Sequence, residues 1–451
     1  MIHTRSIAGL LALCLPGTAA FAVSAPAFPF DDYVRPYVNS GNFSGAVLVA
    51  KDGSVLYQSA YGPADQAARH RNTAATRFHL ASLSMQFTSA AALRLIDAGK
   101  LALDTRVADV VPGLPNGEKI TVRELLEETS GLPDVNSLPD YAQVLQAHQS
   151  AASLVEMILG KAPRFEPGSP SNGEEHSAFN LLALIVEKKT ALPFAAAVRE
   201  LVFKPLAMTR SGIDDDARLP ADCAQGYAPV GARGIEPATK IKWSAKTGNA
   251  SAYSTVGDEL KWVHALFSGM FLSDSSRAAA LDYSKAHVGY GWFKSSSKRF
   301  GVPVYYMNGR APGFASYLLY VPSEKLSVVV LSNIYSSAPT AIGEDLAAMA
   351  LGKPYEPVRL LAAPLPNAAT AALSGSYKFG PDFYQPNATL QLTVDNGDAT
   401  LHWPSAETTA LIPLDNNHFV DRSYWVPVSI RKNPNGQVAT LVYGGFSGQR
   451  L

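Results

Sequence analysis

The chain has 451 residues, and its 38 basic and 38 acidic side chains give a formal net charge of zero. It has no basic excess and no long run of one charge, so we expect no nucleic acid partner and no charged binding tail. Hydrophobic residues make up 47% of the chain and charged residues 17%, which is ordinary for a globular protein with a large core. The length predicts two or three domains.

The first residues have the pattern of an export signal. His3 and Arg5 form a weakly basic start, residues 7–15 are apolar, and Ala20-Phe21-Ala22 has the small-x-small form of a cleavage site. The apolar run is short for a membrane span. We therefore expect residues 1–22 to be removed before Val23, which leaves an exported protein, periplasmic or secreted, without a transmembrane span.

A predicted hairpin and a predicted helix come next. The segment Phe43–Tyr61 alternates in the manner of strands, and Lys51-Asp52-Gly53-Ser54 within it is a hairpin signal. After Ser82, apolar residues recur at helix-like spacing, at Leu83, Phe87, Ala91, Leu93 and Leu95. A serine at a helix start either caps the first turn or acts as a nucleophile, since backbone N–H groups and the helix dipole favour an oxyanion there.

The middle of the chain is mostly helical in pattern, and a second set of strands follows it. We predict a helix within Ile120–Val135, an amphipathic helix over Ala178–Thr190, and a helix capped by one of residues 254–255. Strand-like segments then occupy residues 289–333, and a further helix is predicted over Pro339–Leu351.

Past Asn367 the character of the sequence changes. Short strands alternate with turns such as Asn396-Gly397 and Asn435-Gly436, which are good hairpin signals. We predict a small antiparallel barrel or sandwich over residues 367–451, joined to the preceding domain by a proline-rich linker at 354–366.

Three segments carry a resemblance to a known family: Phe78–Pro112 around Ser82, the turn Thr129-Ser130-Gly131-Leu132, and Pro312-Gly313-Phe314. They resemble the serine β-lactamase and penicillin-binding protein superfamily, in the branch of class C β-lactamases, DD-peptidases and related esterases. The resemblance implies an α/β (α+β) fold over residues 30–360, with helices flanking an antiparallel sheet and an added helical subdomain. We expect no cofactor and no metal site.

Two of the three family motifs keep part of their pattern. By resemblance Ser82 is the nucleophile, but Met85 stands where a neutral lysine takes the serine's proton, and a thioether cannot accept that proton. The strand motif, Lys-Thr-Gly or His-x-Gly in this branch, corresponds to Met307-Asn308-Gly309, which with Met85 would line the cleft. The family's oxyanion hole then corresponds to the backbone N–H groups of Ser82 and Arg310.

The remaining motif, Tyr-x-Asn at a helix start, admits two registers. Counting back from Leu181-Leu182 puts Glu174 at the tyrosine position and His176 at the asparagine position. Counting forward from Pro167-Gly168 shifts the register, and Ser171-Asn172 resembles the end of the usual Tyr-Ser-Asn. Neither register contains a tyrosine.

Two functions from different classes follow from these motifs. In the first, the chain is a serine hydrolase that splits an amide or ester by acyl transfer to Ser82, with its activity absent or rewired so that His176 is the base and Glu174 orients it. In the second, the cleft binds a small-molecule or peptide-like ligand, such as a peptidoglycan fragment, without catalysis, and Met85 and Met307 form an adaptable apolar floor. A base within hydrogen-bonding distance of Ser82 distinguishes the first from the second.

Overall fold

The structure, a computed structural model, describes residues 29–114, 116–169, 174–282, 288–361 and 371–451. The predicted export signal at 1–22 and the pair Ser171-Asn172 lie outside these ranges. The strands of the described chain are, in order, β1 Gly45–Lys51, β2 Ser54–Tyr61, β3 Pro63–Asp65, β4 His70–Arg71, β5 Phe78–His79, β6 Gly212–Ile213, β7 Tyr227–Val230, β8 Gly234–Pro237, β9 Ala252–Ser254, β10 Val288–Gly289, β11 Trp292–Ser296, β12 Pro303–Ala311, β13 Phe314–Val321, β14 Leu326–Ser332, β15 Gly375–Lys378, β16 Thr389–Asp395, β17 Asp398–His402, β18 Thr408–Pro413, β19 His418–Asp421, β20 Pro427–Lys432, β21 Val438–Tyr443 and β22 Phe446–Arg450. Its α-helices are α1 Phe30–Asn39, α2 Met85–Asp97, α3 Val122–Leu126, α4 Tyr141–Val144, α5 Ala151–Glu156, α6 His176–Thr190, α7 Phe194–Val198, α8 Val256–Ser268, α9 Asp274–Leu281 and α10 Ala338–Ala350.

The strand β1 lies inside a seven-stranded antiparallel sheet of order β10-β11-β12-β13-β14-β1-β2. Its side chains alternate between two cores because successive residues of a strand point to opposite faces. Leu48 packs in the core that includes α2 and α6, whereas Val47 and Val49 pack in the core of α1 and α10. Both faces of the sheet are therefore covered, which confirms the predicted antiparallel sheet flanked by helices.

Local signals set several element ends. The predicted hairpin turns at Asp52 and Gly53, whose φ angles are 51° and 76°. Thr255 caps α8, since its hydroxyl accepts a hydrogen bond from Asp258 N. The helix predicted within 120–135 is only five residues long, because Glu128 has a φ of 57°, which ends the helical path just after α3.

The helix α2 follows the Ser82 segment and is enclosed by other elements around most of its circumference. Phe87 packs edge-on against the rings of Phe203 and Trp262, at centroid distances of 5.0 and 5.4 Å. The indole N–H of Trp262 donates to Gln86 Oε1 (2.7 Å) in the first turn of the helix. These contacts hold the beginning of α2, and with it the candidate site, in one position.

The last eight strands, β15 to β22, form a closed antiparallel barrel, in which β15 pairs with β22 through Tyr377 and Arg450. The hairpin between β16 and β17 turns at Asn396 and Gly397, with φ angles of 50° and 88°, as their sequence predicts. Closure leaves no open edge strand and decides between the two architectures predicted, barrel and sandwich. The domain boundaries 30–360 and 367–451 stay predictions.

One buried arginine fastens the barrel to the preceding part of the chain. Arg422 is 1% exposed and donates hydrogen bonds to Asn42 Oδ1 (2.7 Å) and to the carbonyl oxygens of Gly41, Val230 and Gly231 (2.9, 2.9 and 2.6 Å). Burial lowers the pKa of this guanidinium to about 10. Four acceptors from two segments therefore surround one cation, which gives the barrel a defined position.

Candidate active site

Ser82 lies in a single 3₁₀ turn, Ala81–Ser84, that leads directly into α2. Ser82 is the cap residue of neither element, since Leu80 precedes the 3₁₀ turn and Ser84 precedes α2, so the capping role is not realised. Ala81 has a φ of 51°, in the left-handed region that residues with side chains rarely adopt, so the backbone just before the serine is strained. The strand β9 holds this segment, since Leu80 N donates to Ala252 O (2.9 Å) and Ala252 N donates to the hydroxyl of Ser84 (2.9 Å).

Gly309 brings β12 into direct contact with the Ser82 turn. A Cβ atom at Gly309 would lie 2.4 Å from Leu80 O and 2.8 Å from Ser82 N, so a residue with a side chain does not fit unless the backbone moves. On the adjacent strand, Ser316 donates its hydroxyl to Leu80 O (2.5 Å). The glycine shared with the family motif therefore has a steric reason in this chain.

The backbone N–H of Arg310 points away from β13, to the side of β12 on which β11 lies. Ala311 and Phe314 flank the two-residue turn 312–313, and a pair in that position is hydrogen-bonded through its backbone groups. The next pair, Arg310 and Ala315, is then a non-hydrogen-bonded pair, and its N–H groups point away from the partner strand. Among the described residues, β11 pairs with β12 only as far as Tyr306. The end of β12 that carries Arg310 therefore has no partner strand on that side in the described chain. An oxyanion hole needs two such N–H groups converging on one oxygen, and its assignment to Ser82 and Arg310 stays a prediction.

The two methionines at the family's lysine and histidine positions lie inside the protein. Met85 and Met307 are both fully buried, and a thioether offers no useful proton acceptor. Along β12, Met307 and Gly309 alternate with Asn308 and Arg310, which are partly exposed. The polar residues of this strand therefore reach solvent, while the positions that carry ionisable groups in the family are apolar.

His176 is the first residue of α6 and lies between two carboxylates. Its Nδ1 is 3.3 Å from Asp134 Oδ2, and its Nε2 is 3.5 Å from Glu174 Oε2. Burial lowers the pKa of His176, but the hydrogen bonds and charges of Asp134 and Glu174 outweigh it and raise the pKa to about 9. The structure thus brings Glu174 and His176 together, and within the described ranges the Ser82 hydroxyl makes no hydrogen bond to either.

Glu175, the other glutamate at this helix start, stabilises a turn. Its carboxylate accepts hydrogen bonds from Ser130 N (2.9 Å), Ser130 Oγ (2.8 Å) and Gly131 N (3.0 Å). Beside it, Glu128 Oε2 accepts from Glu175 N (3.1 Å), whereas the buried Glu128 Oε1 has no partner in the part of the chain that the structure describes. Burial, together with the charge of Glu174, raises the pKa of Glu128 to about 8. This glutamate is therefore neutral at neutral pH.

A buried lysine and a half-buried tyrosine lie close enough to Asp134 to feel its charge, and sequence reasoning missed them. Lys246 Nζ donates to Tyr141 Oη (2.7 Å) and lies 5.1 Å from the centre of the tyrosine ring. Burial lowers the pKa of Lys246 to about 8, against the opposite effect of the Asp134 charge. The sequence signal for this lysine was Lys246-Thr247-Gly248, which matches the Lys-Thr-Gly form of the family's third motif but lies in a segment with the composition of a loop.

Sequence reasoning also missed the pair of His79, three residues before Ser82, and Asp214. His79 Nε2 is 2.8 Å from Asp214 Oδ2, and the imidazole stacks on Trp243 at a centroid distance of 3.8 Å. Burial lowers the pKa of His79, although Asp214 acts in the opposite direction. A neutral histidine packed in this way supports the β5–β9 contact beneath Ser82.

Among the described residues, no group of three or more His, Cys, Asp or Glu side chains is arranged to hold a metal ion. In the same part of the chain, no helix has the length and apolar character needed to cross a membrane.

The sheet flanked by helices, with a serine turn packed against β12, defines a class: the penicillin-binding-protein-like serine hydrolase fold. A sequence model of the Beta-lactamase family matches residues 30–353. The chain belongs to this family, which confirms the resemblance drawn from its motifs.

Three similar proteins illustrate the relationship. The D-aminopeptidase of Gluconobacter oxydans is 30% identical over 347 residues, which cover 74% of this chain and 62% of that protein. Penicillin-binding protein 4* of Bacillus subtilis is 24% identical over 430 residues, 89% of this chain and 93% of that protein. A penicillin-binding protein structure from Bacillus halodurans superposes with a TM-score of 0.63 at 26% identity, covering 71% of this chain and 98% of that one. The chain thus spans less than two thirds of the D-aminopeptidase's length.

Proposed function

We propose that the surface formed by the Ser82 turn and the adjoining end of β12 binds the carbonyl group of a small amide, ester or peptide-like ligand, with Ser82 at most a weak nucleophile. One observation carries this proposal: both ring nitrogens of His176 face carboxylates, and a pKa of about 9 keeps the imidazole protonated at neutral pH. A protonated histidine cannot take the proton of a serine hydroxyl. The buried thioethers of Met85 and Met307 leave no acceptor at the other two family positions.

The backbone donors support carbonyl binding without a base. N–H groups survive the substitution of side chains, and the tight Gly309 contact holds the Ser82 turn against the strand that carries Arg310. Donors fixed in this way polarise a carbonyl oxygen even where no proton is transferred. The relatives, named as a D-aminopeptidase and as penicillin-binding proteins, favour a ligand with a peptide-like amide or a lactam.

A slow, rewired serine hydrolase is the second candidate, and Lys246 favours it. A buried lysine with a pKa of about 8 is partly neutral near pH 8, and the amine can then accept a proton. Tyr141, hydrogen-bonded to it, completes a lysine–tyrosine pair of the kind that the family motifs lose in this chain.

We also propose that the protein is exported, on the pattern of residues 1–22. The intact mass of protein purified from an exporting host would show whether the chain begins at Val23.

One experiment on the full chain distinguishes the two candidate functions. Wild type and Ser82→Ala are incubated with penicillin G and with a fluorophosphonate, and their intact masses are measured. Calorimetry with penicillin G and with N-acetyl-D-alanyl-D-alanine amide is run in parallel. We expect saturable binding without a covalent adduct. An adduct on wild type that Ser82→Ala abolishes supports the hydrolase, and its loss in Lys246→Met would identify the base. Absence of both binding and adduct in folded protein contradicts both candidates.

A further inference from the structure

The barrel carries a cavity of about 340 Å³ that the serine site does not explain. Its walls are mostly aromatic, with one carboxylate: they include Tyr384, Trp403, Tyr424, Tyr443 and Glu407. The buried indole N–H of Trp403 also has no hydrogen-bond partner among the described residues. Four of the seven residues that line the cavity carry aromatic rings, which attract a ligand with a positive charge.

The rings stand at steep angles to one another. Trp403 and Tyr443 lie 5.3 Å apart at 87°, and Tyr384 and Tyr443 lie 6.0 Å apart at 84°. Tyr424 meets Trp403 at 62° and 6.1 Å. Rings in such edge-to-face contacts do not form one flat platform for the face of a sugar ring, and their arrangement suits a compact, roughly tetrahedral group better. Aromatic side chains bind ammonium groups through their π faces.

The charge at the wall favours a cation. Glu407 is the one carboxylate of the lining, which contains no lysine, arginine or histidine among the described residues. Its two oxygens accept hydrogen bonds from Tyr424 Oη at 2.8 and 2.7 Å, so the carboxylate is held at the cavity edge. Burial and the hydrogen bond to Glu407 raise the pKa of Tyr424, which therefore stays a neutral donor.

From these observations we propose that the barrel cavity is a binding site for an organic ammonium group, methylated or primary, carried by a small molecule. The rings of Trp403, Tyr384 and Tyr443 stabilise the cation after it loses water, since the guanidinium of Arg310 already covers a face of Tyr424, and Glu407 balances the charge. Arg310 lies 4.4 Å from the centre of the Tyr424 ring but is not part of the cavity wall. The site thus lies one aromatic ring away from the candidate active site, and it does not depend on the chemistry of Ser82.

A matched pair of probes tests the proposal on the full chain. Choline and its neutral isostere 3,3-dimethylbutan-1-ol have the same shape, so only the charge differs. We expect calorimetry to show saturable choline binding and at least about tenfold weaker binding of the alcohol. Glu407→Gln and Tyr384→Ala each weaken choline binding by about fivefold or more. Tyr384 is 60% exposed, so its truncation leaves the barrel core in place.

Two variants serve as controls. Asp398→Asn removes an exposed carboxylate from the same barrel away from the cavity, and it leaves choline affinity unchanged. Ser82→Ala also leaves it unchanged, which separates this site from the proposed function of the Ser82 turn. Equal binding of choline and the alcohol overturns the proposal, as does choline binding that survives both cavity variants. Absence of choline binding, or binding of N-acetylglucosamine in its place, overturns it as well.

Discussion

The guanidinium carbon of Arg310 lies 4.4 Å from the centre of the Tyr424 ring, although Arg310 belongs to the central sheet and Tyr424 follows a strand of the barrel. The ring of Tyr335 lies 4.3 Å from the same carbon. Nε and Nη2 of Arg310 are buried and have no hydrogen-bond acceptor within the described ranges, so the two π faces are the main compensation there for lost water. Through this contact the barrel shapes one edge of the candidate active site.

Removing the Tyr424 ring tests the strength of that contact. Tyr424→Ala removes the π face over the guanidinium, and we expect the free energy of unfolding to fall by about 0.5–2 kcal/mol. Tyr424→Phe keeps the ring and loses only the hydrogen bond to Glu407, so the fall is smaller. Denaturant unfolding of the three proteins measures the difference. Equal losses in both variants would show that the hydroxyl, and not the ring, matters.

The close approach at Gly309 predicts a sharp effect of one methyl group. Gly309→Ala would place Cβ within 2.8 Å of Ser82 N, and the backbone must move to relieve the clash. We expect a loss of about 1–3 kcal/mol in unfolding free energy and weaker ligand binding in calorimetry. Gly257→Ala is the control, because its Cβ meets nothing nearer than Thr255 Oγ1 at 3.9 Å. Similar behaviour of the two variants would contradict the steric role of Gly309.

Restoring the family lysine tests whether the Ser82 hydroxyl and the oxyanion donors are still aligned. In Met85→Lys an amine stands where the family takes the serine's proton, and we expect penicillin G to acylate Ser82 about 10²- to 10⁴-fold faster than in wild type. Intact-mass spectrometry over time measures the rate. Met85→Gln has a similar length without a base and stays at the wild-type rate. A folded Met85→Lys protein that forms no adduct would show that hydroxyl and oxyanion donors no longer converge.

Much of the fold was predictable because its signals are local. The spacing of apolar residues after Ser82 reflects one buried helix, α2, and the alternation around Asp52-Gly53 reflects one hairpin. Asn396-Gly397 marks a turn whose backbone suits those two residues. Each of these features depends on residues a few positions apart, so a sequence read in order reveals them.

The candidate site was less predictable because its contacts join distant segments. His176 meets Asp134 across 42 positions, and Lys246 meets Tyr141 across 105. No periodicity connects such residues, and their charge states follow from burial that appears only after folding. The pairing of His176 with two carboxylates is the clearest example, since its position in the sequence suggested a base and its surroundings favour the protonated form.

Glu128 gives a prediction about pH. Its pKa rises from an ordinary 4.5 to about 8 because it is buried beside Glu174. Between these two pH values the folded state holds a proton that the unfolded state has released, so the free energy of unfolding falls as pH rises through this window. Glu128→Gln cannot titrate, and we expect its slope to be shallower by up to about 1.4 kcal/mol per pH unit. Urea unfolding between pH 5 and 8 measures both slopes.

Two comparisons make the pH experiment specific. Burial also raises the pKa of Glu259 to about 8, and this residue keeps its share of the slope in both proteins. Glu128→Asp keeps a carboxyl group at this position, and we expect it to retain more of the slope than Glu128→Gln. Parallel slopes for wild type and Glu128→Gln would mean that Glu128 is ionised in the folded protein.

Arg422 predicts how firmly the barrel is held. In Arg422→Met the carbonyl oxygens of Gly41, Val230 and Gly231 and the side chain of Asn42 lose their common donor inside the interface. Because unpaired buried acceptors are costly, we expect the free energy of unfolding to fall by about 3–5 kcal/mol. Faster proteolysis near Leu361 would accompany the fall, since the backbone N–H of this residue donates to Pro413 O of the barrel (3.4 Å). Arg431→Met, an exposed arginine on β20, is the matched control and changes neither quantity. If Arg422→Met keeps wild-type stability, the barrel is held by its aromatic contacts, such as Tyr37 with Trp425 at 5.2 Å, and not by the buried cation.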